Sequence, residues 1–240
     1  MSVIPSSPAE CANLLLSMLP DADYQALLPY LELIDTPIDF MFFRRDQPIR
    51  HAYFPLRGAH SVLATMEDGS MVEIATVGYE GFSTVDLLLG SRLATETMVC
   101  QMPGAALSLP AAVFQQMTDG DTPLRRLCMR YLQAYLCQIS QSVACNRLHD
   151  LQNRLARWLL ISHDRAQQAE LPLTQAYLAV MLGVQRPSVS FAATSLQRAG
   201  LIECRRGVIR ILDRKGLEAV SCECYATVKR QFHRFLGKDG

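Results

Sequence analysis

The sequence predicts an α+β protein: an N-terminal antiparallel β-roll, a long helix, and a C-terminal pair of short helices followed by a small hairpin. Three observations support this prediction. Short strand-like runs separated by turn residues fill positions 40–109. A glycine-free stretch with helical periodicity follows, and residues 173–202 then divide into two amphipathic helices around Gly183. With 240 residues, 50% of them hydrophobic, the chain has enough apolar material for two modest domains.

The first 120 residues carry the predicted roll. Helices are expected at 9–18 and 22–32, and six strand-like runs follow at 40–43, 52–54, 61–65, 71–76, 95–102 and 105–109. Turns are expected at Arg57-Gly58, Asp68-Gly69, Gly78 and Pro103-Gly104. Many short strands with such punctuation are typical of an antiparallel roll or barrel.

Residues 121–149 predict one long helix, with its main part at 122–145 and a break near 146–150. Its apolar positions form two stripes, one of Leu132, Leu136, Ile139 and Val143 and one of Leu124, Leu127, Tyr131 and Ala134. A helix that is apolar on two sides must bury both. One stripe can cover the roll while the other meets a second copy of the chain, which predicts a parallel homodimer helix. A core helix within a monomer is the alternative.

Residues 150–212 predict a winged helix-turn-helix. Thr174 is a suitable N-cap for the first helix, and Gly183 lies where the turn needs a residue without a Cβ. The second helix has an apolar face and polar early positions, namely Gln185, Arg186, Ser188 and Ser190. A hairpin follows, with Arg205 and Arg206 at its tip. Compact polar groups at the start of a helix suit entry into a DNA major groove.

The charge distribution agrees with a nucleic-acid interface. The chain has 23 basic and 23 acidic residues, yet residues 151–240 contain 14 Lys and Arg against 7 Asp and Glu, a net charge of +7. Residues 1–150 therefore have a net charge of −7. A basic half beside a helix-turn-helix is the footprint expected for contact with phosphates, and it predicts salt-sensitive binding.

The segment LTQAYLAVMLGVQRPSVSFAATSLQRAGLI, with the RRG hairpin that follows it, resembles the C-terminal winged helix of the Crp/Fnr transcription regulators. The preceding residues fit that family's layout, so the resemblance covers nearly the whole chain. It implies a cyclic-nucleotide-binding-like sensor roll, a dimerisation helix, and a regulator that binds a palindromic operator as a homodimer. The implied partners are double-stranded DNA, a second copy of the chain and RNA polymerase.

Within this resemblance, Arg186 falls where Crp-like proteins place an arginine that reads guanine. The next family position is commonly glutamate and is here Pro187; five residues after Arg186, where the archetype has arginine, the chain has Phe191. We therefore expect a different operator, with Phe191 either packed or touching a thymine methyl group. The other expected contacts are Gln185, Ser188 and Ser190 to phosphate or base edges, and Thr174, Gln175, Arg205 and Arg206 to the backbone.

The sensor motif departs from the family pattern. Nucleotide-binding members have a Gly-Glu pair and an Arg-Ser or Arg-Thr pair, whereas this chain has Glu80-Gly81 and, at the second pair, Thr95-Glu96. A carboxylate at the phosphate position repels phosphate. Cyclic nucleotide is therefore not expected, and an unidentified small-molecule effector, or none, remains open. The candidate effector residues are Glu80, Gly81, Phe82, Ser83, Arg92 and Thr95.

The sequence predicts no metal or cofactor. The iron–sulfur cluster of oxygen-sensing relatives is excluded because only Cys11 precedes residue 100. Cys222 and Cys224 lie in a predicted helical extension, 213–240, where residues two apart face different ways; packing or idle thiols are favoured over metal or redox sensing. His51, His60, His149 and His163 are interpreted as surface or packing residues.

Other function classes find no support in the sequence. There is no phosphate-binding glycine loop, nucleophile elbow or metallohydrolase spacing, so an enzyme is not expected. There is no apolar run long enough for a membrane span and no basic start of a signal peptide, so the expected location is the cytoplasm, with reduced cysteines. The alternative function is a second-messenger or small-ligand binding module whose winged helix mediates protein contacts.

Overall fold

The computed structural model describes residues 3–237. The N-terminal part begins with a 3-10 turn at Pro8–Glu10 and the short helices α1 (Leu14–Ser17) and α2 (Asp21–Leu27). Five strands follow, namely β1 (Glu32–Thr36), β2 (Met41–Phe43), β3 (His51–Thr65), β4 (Met71–Val77) and β5 (Thr97–Pro110), with helix α3 (Val85–Leu88) between the last two. All pairings are antiparallel, in the order β1-β5-β3-β4 with β2 also on β5.

Two predicted turns in this sheet are instead irregularities within long strands. β3 continues through Arg57-Gly58 and β5 through Pro103-Gly104, and the pairing register of the two strands shifts there. A Cβ on Gly58 would lie 2.5 Å from the Met102 carbonyl oxygen, so the glycine permits two backbones to approach closely. Arg57-Gly58 and Pro103-Gly104 look like turns in the sequence because a β-bulge and a turn favour the same residue types.

The predicted helix at 22–32 is also shorter than expected. α2 ends at Leu27, a 3-10 turn at Leu28–Tyr30 contains Pro29, and β1 begins at Glu32. Strand β1 was missed because its charged residues Glu32 and Asp35 interrupt the strand-like pattern.

The long helix is present. After α4 (Ala111–Met117), helix α5 runs over Pro123–Leu148, and the Thr122 side chain accepts a hydrogen bond from the Arg125 N–H at 3.2 Å as its N-cap. His149 and Asp150 are extended, and α6 (Leu151–Ala166) then begins. The helix therefore breaks inside the predicted interval.

The C-terminal part contains a three-stranded sheet and four further helices. Its elements are β6 (Glu170–Leu171), α7 (Gln175–Leu182), α8 (Arg186–Arg198), β7 (Ile202–Arg205), β8 (Val208–Ile211), α9 (Arg214–Val220) and α10 (Cys224–Leu236). The sheet order is β6-β8-β7. Helix α10 runs antiparallel along α5, since Arg130 Nε donates to the Phe235 carbonyl at 2.7 Å and Gln141 Nε2 donates to Cys224 Sγ at 3.1 Å. The predicted fold class is confirmed.

The two parts pack against each other through the roll strands. Trp158 Nε1 of α6 donates to Glu73 at 2.8 Å, and Gln101 Nε2 of β5 donates to Ser162 Oγ at 2.7 Å. Roll residues Leu63 and Met102 belong to the same buried apolar cluster as α6, α7 and α8. None of the helices between residues 3 and 237 has both the length and the apolar character of a membrane span.

His60 makes the folding free energy pH-dependent. It is fully buried against the Phe42 ring, and neither ring nitrogen has a hydrogen-bond partner among the described residues. Burial lowers the pKa of His60 to about 3, so the unfolded chain binds a proton that the folded chain does not. Above the unfolded pKa of about 6.5 the histidine is neutral in both states and does not affect the pH dependence. As the pH falls below that value, the unfolded chain takes up the proton, so the free energy of unfolding decreases.

Between pH 7 and pH 5, His60 should cost the wild type about 2 kcal/mol of unfolding free energy. We expect His60→Phe not to show this part of the loss. Denaturant titrations at the two pH values measure this difference. Tyr53→Phe, on the same strand, removes a hydroxyl whose pKa is raised by burial and which does not titrate between pH 5 and pH 7; it is the control and should retain the wild-type pH dependence. An unchanged slope in His60→Phe would contradict this explanation.

Candidate nucleic-acid interface and sensor region

The turn between α7 and α8 is defined by its two caps. Thr174 Oγ1 accepts a hydrogen bond from the Tyr177 N–H at 3.1 Å and starts α7. Gly183 ends the helix in the left-handed region, at φ +63°, where a residue without a Cβ is favoured. Gln185 is the extended N-cap of α8, and Pro187 lies in its first turn, where its missing N–H costs nothing.

Helix α8 presents one face to the core and the opposite face to solvent. The buried face consists of Val189, Ala192, Ala193 and Leu196. Arg186 and Ser188 are exposed at the start of the helix, and Phe191 is 79% exposed in the middle of the outer face. Phe191 therefore does not pack within its own chain. Ser190 is half-buried and its hydroxyl bonds to the Gln175 side chain, which links α8 to the start of α7.

The hairpin of β7 and β8 lies beside this helix pair. Its two turn residues, Arg206 at φ +49° and Gly207 at φ +80°, are both left-handed, as a type I′ turn requires. A Cβ built on Gly207 would lie 3.5 Å from the Thr174 methyl carbon. The wing tip and the start of α7 are thus neighbours, and Arg205 and Arg206 are exposed there.

The arginines on this surface are available for external anions. Within residues 3–237, Arg186, Arg205 and Arg206 have no carboxylate within 4.0 Å, whereas Arg210 pairs with Glu170 at 2.5 Å. The exposed start of α8 and the wing tip therefore add positive charge that no neighbouring acidic group neutralises.

This arrangement defines a winged helix-turn-helix domain joined to an antiparallel β-roll. Residues 153–220 match a family model described as the Crp-like helix-turn-helix domain. The chain therefore has a Crp/Fnr-type fold with a Crp-like helix-turn-helix, and the resemblance stated from the sequence is confirmed. No protein with a curated description matches the sequence.

Solved structures resemble the chain over most of its length. A putative Crp/Fnr regulator from Eubacterium rectale ATCC 33656 has a TM-score of 0.67 at 17% identity, covering 86% of this chain and 96% of that one. The c-di-GMP-responsive regulator CLP of Xanthomonas campestris has a TM-score of 0.65 at 17% identity, covering 80% and 99%. A Crp/Fnr regulator from Thermus thermophilus has a TM-score of 0.64 at 22% identity, covering 79% of this chain and 98% of that one.

The interior of the roll is nearly filled. Between the sheet, α3 and Tyr135 of α5 there is a cavity of about 10 Å³, about the room of one water molecule. Asp86 and Glu96 are among its lining residues, and burial raises the pKa of Glu96. No lysine or arginine of the described chain lines this cavity. Apart from Tyr135, the ionisable side chains among the lining residues are Asp86 and Glu96, which are both acidic.

The predicted effector residues do not meet at one pocket. Only Phe82 and Ser83 line the roll cavity, and Ser83 Oγ also bonds to the backbone of Tyr53. Arg92 is turned away from the interior. Its Nε donates to the Gln115 side chain at 2.9 Å on the exposed side of the roll. Thr95 donates to Asp86 at 2.9 Å on the exposed side.

Glu80 and Gly81 have structural roles at the junction of the two parts. A Cβ on Gly81 would overlap the Tyr131 ring, so the glycine allows the roll to contact α5 closely. The Glu80 carboxylate pairs with Arg165 Nε of α6 at 2.6 Å, with both side chains almost fully buried. Arg165 also donates to Gln138 of α5 at 2.6 Å and lies 5.2 Å from the Phe232 ring centre of α10.

A larger cavity, of about 490 Å³, adjoins this ion pair and was not predicted. It lies between the roll, α6 and α10, and its lining includes Tyr79, Glu80, Arg165, Tyr225 and Phe232. Sequence reasoning did not find it because its walls come from three distant parts of the chain.

The predicted dimer residues divide into two groups. Leu132 is 7% exposed and packs in the chain's own core, and Ile139 packs against the same core. Leu136 and Val143 are 54% and 66% exposed, and Met129, which the prediction omitted, is 40% exposed. The solvent-facing apolar stripe of α5 is thus Met129, Leu136 and Val143.

The structure also brings together four side chains that sequence reasoning kept apart. The ligand atoms of Cys145, His149, Cys222 and Cys224 all lie within 4.8 Å of one another. The expectation that Cys222 and Cys224 share a helix is wrong, because α9 ends at Val220 and α10 begins only at Cys224. The signal in the sequence was a Cys-x3-His pair at a helix end together with a Cys-x-Cys pair.

Removing Arg165 should be strongly destabilising. Arg165→Ala leaves the buried Glu80 carboxylate without its partner, and we expect a loss of about 3–5 kcal/mol of unfolding free energy. Denaturant titration followed by fluorescence of Trp158, which lies on the same helix, measures it. Arg92→Ala removes an exposed arginine of the roll and should change stability by less than about 0.5 kcal/mol. Equal effects of the two substitutions would refute the assigned role.

Proposed function

We propose that the chain is a transcription regulator that binds double-stranded DNA in a sequence-specific manner, as a homodimer on a palindromic operator. The observation that carries the proposal is the exposed start of α8, where Arg186 has no carboxylate within 4.0 Å among residues 3–237, beside a wing that has two more exposed arginines. The Crp-like helix-turn-helix match supports it. RNA polymerase is the proposed partner in regulation.

Arg186 is the proposed base-reading residue. It is exposed at the first turn of α8, where a guanidinium can donate two hydrogen bonds to guanine O6 and N7. Phe191 lies on the outer face one turn further along and offers an apolar surface to a thymine methyl group. Pro187 and Phe191 donate no side-chain hydrogen bonds, so the hydrogen-bonded readout on this face is assigned to Arg186, with the exposed Gln185 and Ser188 beside it.

The phosphate contacts are assigned to the residues around the wing. Thr174 and the wing tip are neighbours, so one DNA backbone can meet Thr174, Arg205 and Arg206 together. Such contacts fix the register of the helix without specifying sequence. The net charge of +7 over residues 151–240 favours the approach of DNA.

The exposed stripe of α5 supports a parallel dimer. Met129, Leu136 and Val143 are spaced seven residues apart, which is the repeat of a coiled-coil seam. Pairing this stripe with its copy relates the two winged domains by a two-fold axis. A two-fold symmetric protein matches a palindromic site, with half-sites about one DNA turn apart.

The roll is proposed to serve the dimer without cyclic nucleotide. Its interior has space for about one water and has two carboxylates where a phosphate would need positive charge. The 490 Å³ cavity beside Arg165 can accommodate a small-molecule effector better than the interior of the roll can. Residues of both the roll side and α6 line this cavity. That location would let a ligand act on the junction between the two parts.

Selection from a random DNA pool tests the function. The wild type should enrich a palindrome, and Arg186→Ala should weaken binding to that palindrome by about 10- to 100-fold per half-site while changing random-DNA affinity much less, because each bidentate contact is worth about 1–3 kcal/mol. Enrichment of the same site by both proteins would contradict base reading by Arg186.

Two controls separate base reading from charge. Arg206→Ala at the wing tip should weaken binding to all sequences alike and reduce the salt dependence by about one counterion per subunit. Arg230→Ala removes an exposed arginine of α10, outside the winged domain, and should leave both affinities unchanged. Failure of the wild type to enrich any sequence at moderate salt would count against the proposed function.

The dimer is tested separately. Leu136→Lys places a charge in each half of the proposed seam, and we expect the dimer to weaken by at least about 100-fold, since each buried leucine is worth about 1.5–3 kcal/mol. Sedimentation equilibrium measures this. Leu212→Lys, at a leucine that is 56% exposed in the winged domain, is the matched control. A dimer that Leu136→Lys leaves intact would place the interface elsewhere.

A further inference from the structure

The Cys145, His149, Cys222 and Cys224 cluster joins two segments that are more than 70 residues apart. Cys145 and His149 are separated by one helical turn at the end of α5, so they share a face. Cys222 lies in the link after α9, and Cys224 is the first residue of α10. All three cysteines are buried and form a small cluster of their own, separate from the two main cores.

The spacing of the ligand atoms fits one tetrahedral ion. Zn–S bonds of about 2.3 Å place tetrahedral ligands about 3.8 Å apart. Here Cys145 Sγ and Cys222 Sγ are 3.5 Å apart, and Cys224 Sγ and His149 Nδ1 are 3.5 Å apart. An iron–sulfur cluster divides its four protein ligands between two irons or among four, so it spreads them farther apart than a single ion does. Three thiolates and an imidazole form one of the usual structural zinc donor sets.

The surrounding groups orient the ligands as metal sites do. His149 Nε2 lies 3.2 Å from the Glu223 carboxylate, which leaves Nδ1 free to face the thiols. A carboxylate behind a metal-bound histidine fixes its tautomer and increases its basicity. Gln141 Nε2 donates to Cys224 Sγ at 3.1 Å, a contact that stabilises a thiolate.

Charge around the cluster is also complementary. Three thiolates and one divalent cation have a net charge of −1. Arg154 and Arg157 of α6 are buried and close enough to act electrostatically on the cysteines, and neither has a carboxylate within 4.0 Å among residues 3–237. Cys224 lies at the start of α10, where free backbone N–H groups favour an anion.

We propose that Cys145, His149, Cys222 and Cys224 form a structural site for a single soft divalent cation, with Zn²⁺ as the natural occupant. The ion would fasten the α9–α10 link to the end of α5, next to the extended residues His149 and Asp150. It would thereby fix the C-terminal helix at the joint between the dimer helix and the winged domain. The proposal does not depend on DNA binding.

The test is metal content and Co²⁺ substitution in the full-length chain, purified with its thiols reduced. Elemental analysis should find one Zn²⁺ per chain. After chelation, added Co²⁺ should produce thiolate-to-metal charge-transfer bands and the intense visible bands of a tetrahedral site. Zn²⁺ should also raise the Tm of the apoprotein, because an ion that binds only the folded chain stabilises it.

Variants locate the site. Cys145→Ser should abolish stoichiometric binding and the charge-transfer bands of its thiolate. Glu223→Gln changes an exposed side chain that does not touch the ion, so the chain should fold normally, and Zn²⁺ affinity should fall by about 10- to 100-fold. Cys204→Ser removes a half-buried thiol of β7 outside the cluster and should bind Zn²⁺ as the wild type does.

Three results would overturn the proposal. The first is a reduced wild-type chain that takes up neither Zn²⁺ nor Co²⁺ in stoichiometric amount. The second is unchanged Zn²⁺ affinity in Glu223→Gln. The third is recovery of iron and sulfide in place of Zn²⁺, which would indicate a multi-iron cluster. All readouts are made without DNA, so they are independent of the proposed regulatory function.

Discussion

The buried ion pair between Glu80 and Arg165 constrains the whole arrangement of this chain. Both side chains are almost fully buried, and Arg165 also contacts Gln138 and the Phe232 ring, so one guanidinium joins the roll, α5, α6 and α10. Charges removed from water are tolerated only with well-placed partners. The roll and the winged domain can therefore separate only if another group, or water, replaces the contacts of Arg165.

Helix α5 mediates between the parts because each of its sides has a different neighbour. Tyr131 packs on Phe82 of the roll, Gln141 bonds to the start of α10, and Leu136 faces solvent. Two of these sides are already used inside one chain, and the proposed dimer would use the third. A displacement of α5 would thus act at once on the roll, the C-terminal helix and the solvent-facing apolar stripe.

Sequence reasoning succeeded where the structure depends on local periodicity. Gly183, Arg186 and the Arg206-Gly207 turn could be placed because caps, turns and amphipathic faces are encoded within a few residues. It failed where the structure depends on distant partners. The ion pair of Glu80 with Arg165, 85 positions later, is one contact that the sequence did not indicate. Cys145 and Cys222 are likewise far apart in the sequence and meet only in the folded chain, so no rule based on short spacings detects them.

Helix α10 connects the cysteine cluster with the core of the roll. α10 begins at the cysteine cluster beside the joint of α5 and α6, and it ends where Phe232 and Leu236 pack into the roll core. The Asn153 side chain donates to the Val220 carbonyl at 2.6 Å and ties α6 to the same link. The joint at His149 and Asp150 is therefore held from two sides, by Arg165 within the core and by α10 outside it. Any movement of the winged domain relative to the roll therefore has to break one of these two sets of contacts.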